Sequence, residues 1–388
     1  MQQGKNPINY WLLPFAWLFG IVVGIRNWLY DRHILKSEQF DTPVISIGNL
    51  TVGGTGKTPH TEYLIRLLSK EYTVGVLSRG YKRKSKGYVL ASPTSTVEEI
   101  GDEPYQIKKK FPAIHLAVDK NRCNGIRQLT SPEVEPPVDV ILLDDAYQHR
   151  KVTPGINILL VNYHRMITND RLLPAGRLRE PAKGKTRANI IIVTKCPTNI
   201  KPVEFRILRN TLSLYPYQSL FFSTFQYKSL YGLFNHKSLP INTIATSDKI
   251  LLLTGIAFPE EIIRCLKQYT PHITSLAFGD HHAFTPKDIA QINQSYADLQ
   301  NSDALVITTE KDATRLVNMD GLNEGVRDHL YILPIEVAFL QGDEKRFNDK
   351  ISSYVYKNSR NSILAHAKNR KLSRNSHHTG HRTGKISF

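Results

Sequence analysis

Gly53-Gly54-Thr55-Gly56-Lys57-Thr58 brings three glycines, a lysine and two threonines together directly after the apolar run at 43–50. Glycines let a backbone turn tightly and aim several N–H groups at one anion, and a helix starting at the lysine adds its positive end. In that setting Lys57 reaches the β and γ phosphates of a nucleotide and Thr58 offers its hydroxyl to Mg²⁺. The candidate nucleotide-binding stretch therefore runs Thr51, Val52, Gly53, Gly54, Thr55, Gly56, Lys57 and Thr58. The common form of this motif has glycine where Thr51 stands. A phosphate loop also needs an acid at a neighbouring strand end, and Val140–Leu143 leads into Asp144 and Asp145. One carboxylate can hold Mg²⁺, directly or through water, while the other orients a neighbour. Kinase, ATPase and GTPase all remain open at this point. Thr194-Lys195-Cys196-Pro197 stands where guanine readers carry Asn-Lys-x-Asp, which argues against GTP.

Other groups are placed to assist. Gln148 and His149 follow the paired aspartates and approach the phosphate region or the acceptor. Arg179 and Glu180 offer a fixed cation, able to neutralise phosphate, beside a carboxylate. Arg79, Tyr81, Lys82 and Arg83 form a basic and aromatic cluster suited to an anionic headgroup. Asp102 and Glu103 sit in a loop before a helix, and Lys311 and Asp312 in a strand-to-helix turn to which no chemistry is assigned. His281 and His282 are adjacent, so their side chains diverge rather than share a metal, and nothing else supplies zinc-ligand spacing. Cys123, Cys196 and Cys265 form no disulfide framework, which points to a reducing compartment.

The elements that must carry these groups are read from short apolar runs alternating with helical patterns between 43 and 195. Continuous apolar strands separated by helical crossovers mean a parallel sheet covered on both faces. The stretch 219–233 alternates instead, as a solvent-touching ribbon would, and a second α/β pattern starts near 249. The fold class is α/β: a P-loop NTPase-like α/β/α lobe, a short β linker and a smaller α/β/α lobe, with the site at strand ends facing the cleft. The expected divisions are an N-terminal helix region at 1–35, the P-loop domain at 36–212, the β linker at 213–248, the second domain at 249–350 and a basic, disordered tail at 351–388.

The N-terminal run Trp11–Ile25 is almost wholly apolar but contains Pro14, and it is shorter than the roughly 20 residues that a spanning helix needs. Trp11, Trp17 and Trp28, with Arg26 and Arg32, favour the headgroup level. A helix lying in or dipping into one leaflet is the preferred reading, beside a buried helix and a true span. The net charge of +17 admits nucleic acid, an anionic membrane or a phosphorylated substrate. The tail holds eight Lys or Arg after 356, yet Phe388 is its sole aromatic, so it makes a weak base-stacking platform. A nucleotide-dependent switch and an RNA- or membrane-associated module without catalysis are the competing functions.

The chain resembles the tetraacyldisaccharide 4'-kinase family, which phosphorylates a lipid A precursor. The resemblance rests on segments 45–59, 78–87, 101–107, 137–150, 171–181, 278–284 and 306–316, in order and spanning most of the chain. Threonine at the position of Thr51 is itself a mark of that family. The resemblance implies transfer of the γ-phosphate of ATP, with Mg²⁺, to the 4'-hydroxyl of an acylated glucosamine disaccharide 1-phosphate. The setting it implies is an anionic inner-membrane surface, on the cytoplasmic face, in a peripheral or monotopic manner. No nucleic acid and no obligate protein partner are expected. By the same resemblance Asp102 is the base and His281 its dyad partner, with Lys57, Asp145 and Arg179 completing the catalytic set. Thr58, Asp144 and Glu103 are assigned to the metal, and Arg79, Tyr81, Gln148 and Glu180 to the substrate. The family commonly has glycine where Lys82 and Ala146 stand, which puts a left-handed turn at 146 in doubt.

Overall fold

The computed structural model describes residues 8–255, 259–279, 282, 284–300 and 303–359. Among these, two sheets organise the chain. The first contains β1 (Val44–Asn49), β2 (Val74–Ser78), β3 (Val89–Leu90), β4 (His115–Val118), β5 (Val140–Asp144), β6 (Ile156–Asn162), β7 (Ile190–Thr194) and β8 (Ser219–Tyr227). The second contains β9 (Leu230–Gly232), β10 (Ser238–Leu239), β11 (Ile250–Thr254), β12 (Ile273–Ala277), β13 (Leu305–Thr309) and β14 (Leu330–Leu333). β15 (Ile335–Phe339) then returns to the first sheet, whose order is β15-β8-β7-β6-β1-β5-β2-β4-β3. Its interior strands are parallel and only the edges β3 and β15 pair antiparallel. β1 lies between β5 and β6, with Ile47 opposite Asp144. That register sets the phosphate loop beside the paired aspartates.

Alternation along β1 explains the layering. Ile45 and Ile47 pack into one core and Val44 into another on the opposite face. The first core is closed by α2 (Lys57–Leu68), α3 (Val97–Ile100) and α4 (Asp102–Lys110), the other face by α5 (Arg122–Leu129) and α6 (Pro202–Leu212). In the second lobe α7 (Glu260–Leu266) covers one face of the sheet, while α8 (Pro286–Ala297), α9 (Glu310–Leu316) and α10 (Glu324–His329) cover the other. The N-terminal helix α1 (Leu13–Asp31) stands outside both cores with only Ala16, Val23 and Tyr30 buried. Trp11 is 91% and Trp17 72% exposed, so the buried-helix reading does not hold.

Two divisions expected from sequence are redrawn. The stretch 213–248 is not a separate ribbon: β8 joins the first sheet beside β7, while β9 joins the second beside β14. Phe221, Phe222 and Ser223 are all buried, which a solvent-touching strand would not allow. Residues 344–359 form a helix, here α11, and Phe347, Ile351 and Val355 are fully buried in the first core. The second lobe therefore ends before β15, and the tail starts later than 351. Residues 360–388 lie outside those described.

Candidate active site

The loop after β1 takes its shape from two left-handed glycines. Gly53 has φ 103° and Gly56 φ 84°, values that an L side chain resists. A Cβ on Gly56 would also meet the Phe225 ring at 2.7 Å. The loop is tied on several sides. Asn49 Nδ2 donates to Thr55 Oγ1 at 2.7 Å, and Thr194 Oγ1, at the end of β7, donates to the Thr55 carbonyl at 2.9 Å. Val52 N donates to Arg177 O at 2.8 Å, and Thr51 forms an antiparallel bridge to Leu178. Gly53 and Gly54 stay exposed at the loop's crest. Buried His60, in the first turn of α2, holds the Gly56 carbonyl through Nδ1 at 2.7 Å while Nε2 meets Ser223 Oγ at 3.0 Å. Burial lowers its pKa to about 4, so it holds these contacts as a neutral ring.

Asp144 closes β5 and Asp145 takes the first residue of the turn, with φ 47°. The left-handed residue is therefore Asp145, so alanine at 146 is tolerated. Lys57 Nζ lies 3.7 Å from Asp145 Oδ1, and Arg179 Nη1 lies 3.3 Å from its two oxygens. Burial works to raise the Asp145 pKa, but Lys57 and Arg179 outweigh it and hold the carboxyl below its usual range. Asp144 goes the other way. Burial, with the charges of Glu103 and Asp145, raises it to about 6, although Lys57 and Thr61 oppose the shift. Its oxygens accept from Thr61 Oγ1 at 3.1 Å and Ser78 Oγ at 3.3 Å. A buried carboxylate held near two others suits a divalent cation, which would relieve that repulsion. Among the described residues no three His, Cys, Asp or Glu converge as a ready-made metal cluster. A loop hydroxyl, one acid, waters and phosphate oxygens complete Mg²⁺ sites of this type.

The structure thus brings Lys57, Asp144, Asp145, Glu103 and Arg179 together at the ends of the central strands, with Thr58 next to Lys57 at the start of α2. It adds Arg122, which sequence reasoning missed. Arg122 is buried, its Nη2 donates to the Asp144 carbonyl at 3.4 Å, and burial lowers its pKa to about 10 against the pull of Asp144 and Asp145. No sequence motif marks it; only the fold folds α5 under the end of β5. Arg79 and Tyr81 are exposed at the end of β2, whereas Arg83 donates to Val118 O and Gly87 O and so braces its own loop. His149 is lowered to about 4 by burial and by Arg122, Lys151, Arg26 and Arg79.

Two residues expected at the substrate have protein partners in this structure. Glu180 is 1% exposed and accepts from Arg187 at 2.8 Å and from Asn27 of α1 at 3.1 Å, so it braces helix to loop. Gln148 donates through Nε2 to Asn49 O at 2.6 Å, steadying the entry to the phosphate loop. Asp102, first residue of α4, is ion-paired to Arg315 of the second lobe at 2.5 Å. His281 lies outside the described residues. Its neighbour His282 bonds Asp288 Oδ2 at 2.9 Å and stacks on Phe278, fastening the start of α8.

A phosphate loop ahead of a helix, an acid pair at the adjacent strand end and two cations on that pair define a P-loop nucleotide-binding protein built on two α/β/α lobes. The chain belongs to the tetraacyldisaccharide-1-P 4'-kinase (LpxK) family, whose model matches residues 8–356. It is 55% identical to the tetraacyldisaccharide 4'-kinase of Phocaeicola vulgatus over 93% of this chain and 99% of that one. Identity to the Bacteroides thetaiotaomicron enzyme of the same name is 53%, over 95% and 99%. The crystal structure of LpxK from Aquifex aeolicus in complex with ATP superposes with a TM-score of 0.68 at 30% identity, covering 89% of this chain and 98% of that one.

Proposed function

We infer that the protein transfers the γ-phosphoryl group of ATP to the 4'-hydroxyl of tetraacyldisaccharide 1-phosphate, giving lipid IVA. The observation that carries the reading is the Lys57–Asp145–Arg179 cluster at the mouth of the phosphate loop. Loop N–H groups and Lys57 receive the β and γ phosphates. Thr58, Asp144 and Glu103 would hold Mg²⁺, which when bound neutralises charge across those phosphates. Arg179 faces the transferring group, with Asp145 keeping it and Lys57 in place. The acceptor oxygen attacks the γ-phosphorus, the bond to the β–γ bridging oxygen breaks, and ADP leaves. Asp102 takes the hydroxyl proton, and His281 is its partner in this reading.

The acylated substrate is delivered from a membrane surface. α1 with the 3-10 turn before it is long and apolar enough to cross a bilayer by length and composition, yet its outward face is ringed by Trp11, Trp17 and Trp28. Its inner end is fastened to the site by Arg26 on Gln148 O and Asn27 on Glu180. A helix tied this way sets the catalytic edge at headgroup depth on the cytoplasmic leaflet, in a peripheral or monotopic manner. Arg79 and Tyr81, both exposed at the end of β2, would meet the anionic sugar headgroup. The decisive experiment incubates purified protein with γ-labelled ATP, Mg²⁺ and the tetraacylated acceptor in mixed micelles. Labelled lipid that loses its label to a 4'-specific phosphatase supports the reading; ATP hydrolysis without lipid label sinks it.

A further inference from the structure

Asp102 sits in the first lobe, but a group that holds it comes from the second. Arg315 Nη2 reaches Asp102 Oδ2 at 2.5 Å across 213 residues of sequence, and its side chain is only 9% exposed. Arg315 is itself braced. Asp312 Oδ1 lies 3.5 Å from Arg315 Nη1, and Asp312 Oδ2 accepts from Gly255 N at 2.9 Å and Thr309 Oγ1 at 2.7 Å. Asp312 is fully buried. Hydrogen bonds at the end of β11 and the start of α9 thus fix Asp312, an ion-pair contact at 3.5 Å links Asp312 to Arg315, and a hydrogen bond links Arg315 to the first residue of α4. The far end of α4 carries a second tie: Lys110 pairs with Glu310 at 2.5 Å and with buried Glu62 of α2 at 2.6 Å. α4 and α9 thus lie antiparallel with an ion pair at each end, each acid at a helix start and each cation in a last turn, the favourable sense for both helix dipoles.

We propose that Arg315 is a positioning residue for the transfer reaction: carried on the second lobe and braced by Asp312, it fixes the Asp102 carboxylate. Holding one oxygen sets the rotamer and so the direction of the other. In phosphoryl transfer the acceptor proton moves late, so placing the carboxylate contributes more than raising its basicity. The arrangement makes docking of the second lobe a condition for a correctly aimed base in the first. This rests on the assignment of Asp102 as base.

The test measures kcat and KM for ATP and for lipid acceptor in the full-length protein bearing Arg315→Ala, Arg315→Lys, Asp102→Asn, or Asp102→Asn with Arg315→Ala. Arg315→Ala should lower kcat by about tenfold or more while the KM for ATP stays within about twofold. Arg315→Lys, which keeps the charge and the fold but loses the planar fork, should recover part of that loss. In the Asp102→Asn background, removing Arg315 should cost less than about twofold, since groups acting as a unit are not additive. An undiminished kcat in Arg315→Ala, or in Arg315→Lys and Arg315→Gln should the alanine variant not fold, overturns the proposal, as do multiplicative losses in the double variant. Full activity in Asp102→Asn overturns the base assignment and this inference with it, whereas a crippled Asp102→Asn beside an unimpaired Arg315→Ala overturns this inference alone.

Discussion

At the scale of single residues, the site is a cluster of opposed charges grouped around the two aspartates. Lys57 and Arg179 both face Asp145, so replacing Lys57 removes one of the cations that hold that carboxylate and, in the proposed reading, a phosphate ligand. Lys57→Ala should lower lipid phosphorylation by more than about tenfold with the fold intact, as loss of a transition-state donor does. Near wild-type turnover, read as labelled lipid per minute, would show that this loop is not where the chemistry happens. His60 gives a stability test. Its native pKa is about 4 against 6.5 for the unfolded chain, so the unfolded state takes up a proton first as pH falls. The contribution of His60 is whole above pH 6.5 and is lost progressively down to about 4. Asp144, raised to about 6, has the opposite slope, because there the native state binds the proton first. Comparison with His60→Gln isolates the histidine. The stability advantage of wild type over that variant should shrink by about one to three kcal/mol between pH 7 and pH 4.5 in urea unfolding. A gap that does not move with pH would mean His60 is not held neutral.

Elements show where sequence reasoning reached and where it stopped. The Val140–Leu143 run ending in two aspartates, and the glycines before Lys57, carry their own local geometry, so strand, loop and helix were all readable from residue type and spacing. Arg122, Arg315 and Glu180 were not, because their roles depend on which elements the topology lays side by side. The alternating stretch 219–233 misled for a related reason. β8 is buried by β7 and β15, a partner over a hundred residues away, and Pro334, which has no N–H for a ladder, divides the last apolar run between the two sheets. α1 was readable in composition, but its attachment to the site was not. A consequence can be measured at this scale. Replacing the exposed Trp11, Trp17 and Leu18 with serine leaves Arg26 and Asn27 in place, so vesicle binding should weaken and the apparent KM for dispersed lipid should rise. Asn27→Ala removes a ligand of buried Glu180 without changing the apolar face, so its effect should fall on turnover instead. Equal flotation of the triple variant and wild type with anionic vesicles would refute a membrane role for this face.

Over the whole molecule, the chain leaves the first lobe after β8 and comes back through Pro334, and the two crossings touch where Lys228 N donates to Pro334 O at 3.1 Å. The return leg, β15 and α11, finishes the first lobe with the last described residues of the chain. Phe347, Ile351 and Val355 complete a core that includes Phe221, and Phe339 and Tyr63 pack against it. Phe347 and Phe339 stack at 4.4 Å between ring centroids. Tyr354 lies so near Gly155 that a Cβ there would meet its hydroxyl at 2.0 Å. Polar ties repeat the fit: Arg346 Nη2 donates to Leu220 O at 3.0 Å, and Tyr354 Oη to Val44 O at 3.3 Å, on the strand that feeds the phosphate loop. Removing a buried aromatic or aliphatic side chain costs about 2–5 kcal/mol, and α11 carries three within a domain whose total margin is about 5–15 kcal/mol. A chain ending at residue 343 should therefore be insoluble or lose cooperative unfolding, although the phosphate loop, both aspartates and the entire second lobe are still present. A chain ending at residue 359 keeps every one of these contacts and should therefore stay soluble and unfold cooperatively. Thermal unfolding of the two truncations, followed by circular dichroism, reads both outcomes. A soluble, cooperatively melting 1–343 chain would mean that the first lobe closes its core without its C-terminal helix.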